Sequence, residues 1–357
     1  MTTNYNEIIK KLDTINPIRY AKDRNFINGS VTKLSPYISR GIISTKSVFD
    51  FLLKKGYSLK SMQKFVQELV WREFWQMTWI DKNINEDLRT KQKDYKNIGV
   101  PKKVNDFDTG INAIDSSIKI LYNTGYMHNH LRMYVASLVT NIGKYHWKKP
   151  AKWMYYHLLD ADWGSNALSW QWVCGSNSSK KYYANQENIN RFTNNNQKNT
   201  ILDKSYDELI NYKCEGIFEE KANLNLKVNY PKSDIFTNQN EKPICIYNYY
   251  NLDTKWRQEL DANRILLIEP SIFNKYPISD NSMKFMLDLS KNIKNIIIFV
   301  GEFSDLPING SDVYFKEHPL NFNYKGIQDD RDWIFKPEQS FSSFFKHWNY
   351  VLKKLAY

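Results

Sequence analysis

Between Met127 and Trp172 an apolar, aromatic-rich stretch is threaded with Asn129, Arg132, Asp160, Asp162 and Asn166 and flanked by Trp147, Trp170 and Trp172. Polar groups of this kind are expensive to bury unless something pairs with them. Any fold that buries this stretch must therefore satisfy five polar side chains with one another or with a ligand. Large aromatics around them point to a deep pocket for a polar, flat, aromatic molecule. Eight of the eleven tryptophans fall between Trp71 and Trp172, which concentrates the aromatic surface on the same part of the chain.

A chain of 357 residues is long enough for two domains, or for one large helical domain with an appendage. It has no run of about 18 apolar residues, the length a membrane span needs, and MTTNYNEIIKKLD lacks the apolar core of a secretory signal. Cys174, Cys214 and Cys245 are odd in number and widely spaced, which argues against a disulfide framework or a four-thiolate cluster. A reducing, cytoplasmic setting without membrane contact is the expectation. Charge is unevenly distributed. Residues 1–200 carry 30 Lys and Arg against 16 Asp and Glu, whereas the remainder carries 20 against 22. A basic first half points to a polyanionic partner, nucleic acid above all.

The pattern along the chain divides it into a helical domain at 1–195, a connecting arm at 196–240 and a small α/β domain at 241–357. In SLKSMQKFVQELVWREFWQMTWI, Met62, Phe65, Val66, Leu69, Val70, Phe74 and Met77 recur near a 3.6 period, with Ser58 or Ser61 as the cap. INAIDSSIKILYNTG reads as a second helix stopped by Asn123 and Gly125. A third runs from about His128 to Lys144, and a fourth starts near Pro150. The arm is rich in Asn, Lys and Gln, with some helix in SYDELINY. Beyond it, PICIYNYY, RILLIEP, NIIIFVGE and DVYFKEH read as strands, alternating with helix-like DTKWRQEL, SMKFMLDLSKNI and SFFKHWNYVLKKL. That alternation predicts a parallel sheet. Neither G-x-G-x-x-G nor a P-loop occurs.

Four segments in order, VTKLSPYISRGIIS, ELVWREFW, MHNHLRM and DADWGSNALSWQW, resemble the DNA photolyase and cryptochrome family over roughly residues 18–192. The resemblance is to its helical FAD-binding domain. It implies FAD as cofactor, with Tyr20, Thr32, Lys33, Leu34 and Ser35 at the phosphate end, near a helix start. It places Arg132 beside the isoalloxazine, paired with Asp160. Asp162 would accept from the flavin or its ribityl region, and Asn166 would face the flavin N5. Plant-type cryptochromes carry a carboxylic acid there, so the amide leans towards photolyase-like redox behaviour. The family's antenna domain stands ahead of its flavin domain. Here the α/β domain follows instead and loosely resembles a permuted antenna-like domain, with its pigment unidentified.

The same resemblance implies a substrate side made of Glu68, Trp71, Asn129, His130, Met133 and Trp172, lining a cavity for a flipped pyrimidine dimer. His130 stands where cyclobutane-specific enzymes have Arg, and a mostly neutral imidazole cannot supply that fixed charge. KKYYANQENINRF replaces the family's P-Y-F-R-x-F-N-P. Trp170 and Trp147 match the two inner members of the electron relay. No Trp lies between Trp79 and Trp147, so Tyr95 is the stand-in for the outer one. The function implied is a deoxyribodipyrimidine photolyase-like lyase, a blue-light-driven DNA repair flavoprotein acting on UV-damaged duplex or single strands. The alternative is a cryptochrome-like photoreceptor without repair activity, acting through a signalling partner.

Overall fold

The computed structural model describes residues 1–214, 216–238, 241–336 and 339–355. Helices dominate the first 210 residues and a five-stranded sheet follows, so the chain is mainly helical in its first part and α/β in its second. Among the described residues no helix is long and apolar enough to cross a membrane. Residues 239 and 240, the end of the arm, lie outside the described residues.

By compactness the chain forms two units, and these do not follow chain order. One comprises residues 1–18, 32–81 and 228–357, the other 19–31 and 82–227. In the first unit, five parallel strands run β1 Ile244–Tyr247, β2 Asn263–Ile268, β3 Ile296–Val300, β4 Val313–Lys316 and β5 Ile327–Asp329, in the order β3-β2-β1-β4-β5. Register sets Ile246 opposite Ile265 and Phe315, and Leu266 opposite Ile298. β1 is buried along its whole length, as expected of a parallel strand covered on both faces. One face of the sheet packs Ile244, Ile246, Ile265, Leu267 and Phe315 against Phe303 and Tyr324.

The strand order reverses between β1 and β4, where open α/β sheets usually place a ligand beyond the strand ends. Here that crevice is filled by Tyr249, Tyr250, Phe273 and Tyr324, and the cavity left is about 20 Å³, room for one water. Tyr324 Oη donates to Glu269 Oε2 at 2.5 Å across it.

The long helix Leu59–Asp81 belongs to this unit, with Ser58 Oγ accepting from Ser61 N at 3.3 Å as its cap. The Arg40 guanidinium lies 3.2 Å from the Tyr249 ring centroid, and Leu252 N donates to Arg40 O at 2.8 Å. Both contacts join residues some 210 positions apart, which is why this unit gathers the start and the end of the chain.

The second unit is helical. Asn112–Thr124 stops at Gly125, whose φ of +68° is the left-handed conformation of a helix C-cap. A Cβ there would stand 2.5 Å from Leu159 Cγ. Asn129–Ser137 continues as a π-helical turn, Leu138–Ile142, so the third predicted helix widens before it ends. Lys148–His157 and Trp163–Cys174 follow, and the latter packs on Asn129–Ser137.

One predicted helix is corrected. DTKWRQEL forms turns, because Trp256 Nε1 and the Arg257 Nε and Nη2 atoms all bind Asp329 at 2.7–2.8 Å, with Arg257 at φ +47°. Asp329 sits on β5, a three-residue strand too short and polar to be read in advance. SYDELINY is helical over Tyr206–Ile210, and SFFKHWNYVLKKL over Phe344–Leu355.

Candidate functional site

In the helical unit, Asn129, His130, Arg132 and Met133 lie on Asn129–Ser137, and Asn166, Trp170 and Trp172 on the adjoining Trp163–Cys174. Arg132 projects from Asn129–Ser137, and its Nη2 meets both Asp160 carboxylate oxygens at 3.0 Å while Nε donates to Met127 O at 2.9 Å. The side chains are 21 % and 7 % exposed, so the pair is largely removed from water. Asp162 caps Trp163–Cys174, its Oδ1 accepting from Ser165 N at 2.7 Å. One turn further, Asn166 Nδ2 donates to Ala151 O at 2.7 Å. That leaves the carbonyl oxygen and the second N–H as the groups this amide can offer to a ligand. Beside them Ser165 Oγ is buried and has no hydrogen-bond partner among the described residues. An orphaned hydroxyl next to a half-committed amide and a buried ion pair fits a polar ligand at this first turn.

Asn129 and Trp172 are exposed on the same helix pair, Trp172 at 37 %, and Met133 is half-buried. Tyr182 tilts against Trp172 at 5.8 Å. His130 has a different environment. Its Nδ1 lies 3.0 Å from Asn25 O, which can only accept, and its ring packs 4.6 Å from Tyr134 and 4.7 Å from Phe192. Burial, with Arg24 nearby, outweighs that bond and pushes its pKa below the usual histidine value. A neutral imidazole wedged between two rings braces the helix. Tyr20 lies on Pro17–Asp23.

Trp147 and Trp170 are both buried. Trp147 lies 6.5 Å from Trp163 on one side and 5.8 Å from His146 on the other, and Tyr95 meets His146 edge-on at 4.8 Å. Tyr95 is held there because Lys96 N and Asn97 N donate to Lys144 O and His146 N donates to Asn97 O. Trp147 Nε1 donates to Asp87 Oδ1 at 2.7 Å, and Gln92 bridges Trp147 N and Tyr145 O. Asp87, Gln92, Ser165 and His146 were not singled out from the sequence. Only the fold carries Asp87 and Gln92 across 55–60 residues to Trp147.

In the other unit, Thr32 and Lys33 lead into Ser35–Ser39. Lys33 has φ +54°, Leu34 is buried at the N-cap, and Thr32 Oγ1 accepts from Leu34 N at 3.4 Å. Glu68 and Trp71 lie one turn apart on Leu59–Asp81. Glu68 is paired with Lys64 at 3.3 Å, and Trp71 is stacked under Phe344 at 3.5 Å. Glu73, on the buried face, accepts from Thr45 Oγ1 at 2.5 Å and from Ile334 N at 2.8 Å. Burial pushes its pKa up to about 7 against those two bonds and nearby Arg331.

A helical pair holding a buried Arg–Asp clamp, a capped turn with a half-committed amide and an unpartnered hydroxyl, and a tryptophan cluster forms a site suited to a polar, aromatic ligand. Residues 65–249 match the family profile described as the FAD binding domain of DNA photolyase, and the chain belongs to the DNA photolyase and cryptochrome family. Among curated relatives it is similar to the deoxyribodipyrimidine photo-lyase of Alkalihalophilus pseudofirmus, 31% identical over 162 residues, covering 43% of this chain and 33% of that protein. It is also similar to that of Agrobacterium fabrum, 33% identical over 173 residues, covering 44% and 34%. A solved bacterial class III photolyase from Agrobacterium tumefaciens aligns at 29% identity with a TM-score of 0.39, covering 48% of this chain and 38% of that one. The chain spans about a third of the length of the curated relatives it matches.

Proposed function

We propose that this protein is a blue-light-dependent DNA repair flavoprotein that splits UV-induced pyrimidine dimers. The observation that carries the reading is the Arg132–Asp160 clamp beside Ser165 and Asn166, inside the segment that matches the FAD-binding domain. The residues suit FAD. Arg132 and Asp160 would border the ring system, Asn166 would offer its amide oxygen to a ring N–H, and Thr32–Ser35 with Tyr20 would serve the phosphate end. Bound reduced flavin would supply the light-driven electron. The chain's own contribution is placement. Asn129, Met133, Trp71 and Trp172 would wall the flipped dimer and Glu68 would steady its charge, while His130 braces the helix that carries Asn129. Tyr95, reached from Trp147 through His146, would end the electron relay, and the Asp87 carboxylate would stabilise positive charge on the Trp147 indole. No pigment is assigned to the α/β domain.

The test is direct. Purified protein with its flavin reduced is mixed with a thymine-dimer oligonucleotide and illuminated with blue light, with a (6-4) lesion and single-stranded substrate in parallel. Loss of dimer in the light and not in the dark is expected. Intact dimer with bound, reduced flavin would end the repair reading for that lesion. The second reading, a photoreceptor without repair activity, is favoured by one observation, the Phe344 ring lying on Trp71.

A further inference from the structure

β3 is an edge strand made of five large apolar residues, none of them buried, whereas β1 at the centre of the same sheet is buried throughout. Ile297 and Phe299 pack against the core on one face of the sheet. Successive side chains of a strand point to opposite faces. Ile296 and Ile298 accordingly turn the other way and, with Met283 and Leu287 of the helix Asp280–Ser290 and Tyr230 of the arm, line an open groove of about 590 Å³. Exposed apolar surface that is contiguous, rather than scattered singly, marks a place where something docks.

Beside the groove the arm presents a knob. Ile235 is 96 % exposed, yet both of its neighbours are fixed. Asp234 N donates to Ile298 O and Ile298 N donates to Asp234 Oδ2, both at 2.8 Å, while Val300 N donates to Ser233 Oγ at 3.1 Å. On the other side Phe236 is buried in the core of the sheet. Further back, Asn229 Nδ2 donates to Asp280 Oδ1 at 3.0 Å and ties the arm to the start of the helix. A side chain held in place this way loses little freedom when it is buried by a partner. The same bonds occupy the outward backbone groups of β3 at Ile298 and Val300. An added peptide strand therefore finds no ladder there, and a partner must meet side chains.

We propose that this edge is a two-fold interface between copies of this chain, in which Ile235 of each copy enters the groove of the other. A two-fold interface must be self-complementary, so that one patch carries both the knob and the hole. Here they lie side by side, because Asp234, next to the knob, is bonded to Ile298, which walls the groove. Charge agrees with the pairing. Lys284 and Lys291, 75 % and 74 % exposed, share the single carboxylate of Asp288 beside Leu287 and leave one positive charge unbalanced. Exposed Asp234 arrives with the knob and supplies the opposite sign. One contact, made twice, thus covers the bare edge strand and the bare isoleucine together.

The experiment compares full-length wild type, Ile235→Ala and Leu287→Ala by sedimentation equilibrium over a concentration series. In parallel, an equimolar mixture of Ile235→Cys and Leu287→Cys is oxidised beside each variant alone and beside wild type, which controls for the natural cysteines. A monomer–dimer equilibrium is expected in wild type. Ile235→Ala should weaken it about a hundredfold, because the contact occurs twice and each loss costs about tenfold. Leu287→Ala should weaken it in the same sense, and the mixture should give disulfide-linked dimers far faster than either variant alone. Ile235 is exposed in the single chain, so its substitution leaves the melting of the monomer unchanged and a lost dimer is not a lost fold. Wild type that stays monomeric throughout, or a dimer indifferent to both alanine substitutions, overturns the interface. Species that keep growing with concentration overturn it in favour of open head-to-tail assembly. A monomer that instead binds the apolar dye ANS, with the signal lost in Leu287→Ala, overturns it in favour of a small apolar ligand in the groove.

Discussion

Arg132 and Asp160 are the most informative single residues, because each offsets the other's charge where both are largely removed from water. The carboxylate receives two contacts from one guanidinium nitrogen, and Met127 O fixes the neighbouring Nε. Asp160→Asn keeps the shape and removes the charge. Breaking a mostly buried pair leaves an uncompensated cation, so the variant should lose about 3 kcal/mol of stability and purify with little flavin. Urea melts and the flavin absorbance of the purified protein check both, and a variant as stable and as yellow as wild type would remove the clamp from the site. The motif spacing and the resemblance made this pair legible in advance. The same reading could not find Asp87, whose value comes from meeting the Trp147 indole, nor the surroundings of His130. A residue type states what a group can bond, and its neighbours decide what it does bond.

Elements were legible wherever local pattern and burial agree. The 3.6-residue period of Leu59–Asp81, the stop at Gly125 and the isoleucine-rich strands all survive in the structure. They depend on sterics and on which face is apolar, and both are local. DTKWRQEL has helical spacing, but Asp329 captures Trp256 and Arg257 and holds turns there. The C-terminal helix carries a pH dependence of its own. Burial lowers the His347 pKa from 6.5 to about 4. The folded state therefore resists a proton that the unfolded chain takes up below about pH 6.5, and stability falls as pH drops from there towards 4. Glu73, raised to about 7 from 4.5, acts in the opposite sense, its protonated form favouring the fold until pH rises through that range. His347→Phe should cancel the first effect and keep the second. Relative to wild type, the variant should gain up to about 1 kcal/mol per pH unit below 6.5, measured by urea melts between pH 7 and 5. Parallel pH profiles would show that His347 is not neutral and buried in the docked helix.

At the scale of the whole molecule, charge separates along the chain, with the excess of Lys and Arg confined to the first 200 residues. If that half meets about four to six phosphates, log K for DNA should fall with log salt at a slope of about −4 to −5. Titration across a salt series measures it, and a flat line would remove nucleic acid as the partner. The sequence by itself determined the helical and α/β classes, the parallel sheet, the family and the set of polar residues that must be paired. These follow from periodicity, burial cost and motif order, which any single chain displays. Tertiary structure alone decided that residues 1–18 and 32–81 share a compact unit with the C-terminal sheet, that Asp87 reaches Trp147, and that Phe344 lies on Trp71. Such contacts join residues 60 to 270 positions apart. Their energies depend on which surfaces the completed fold leaves facing each other, and no local pattern encodes that.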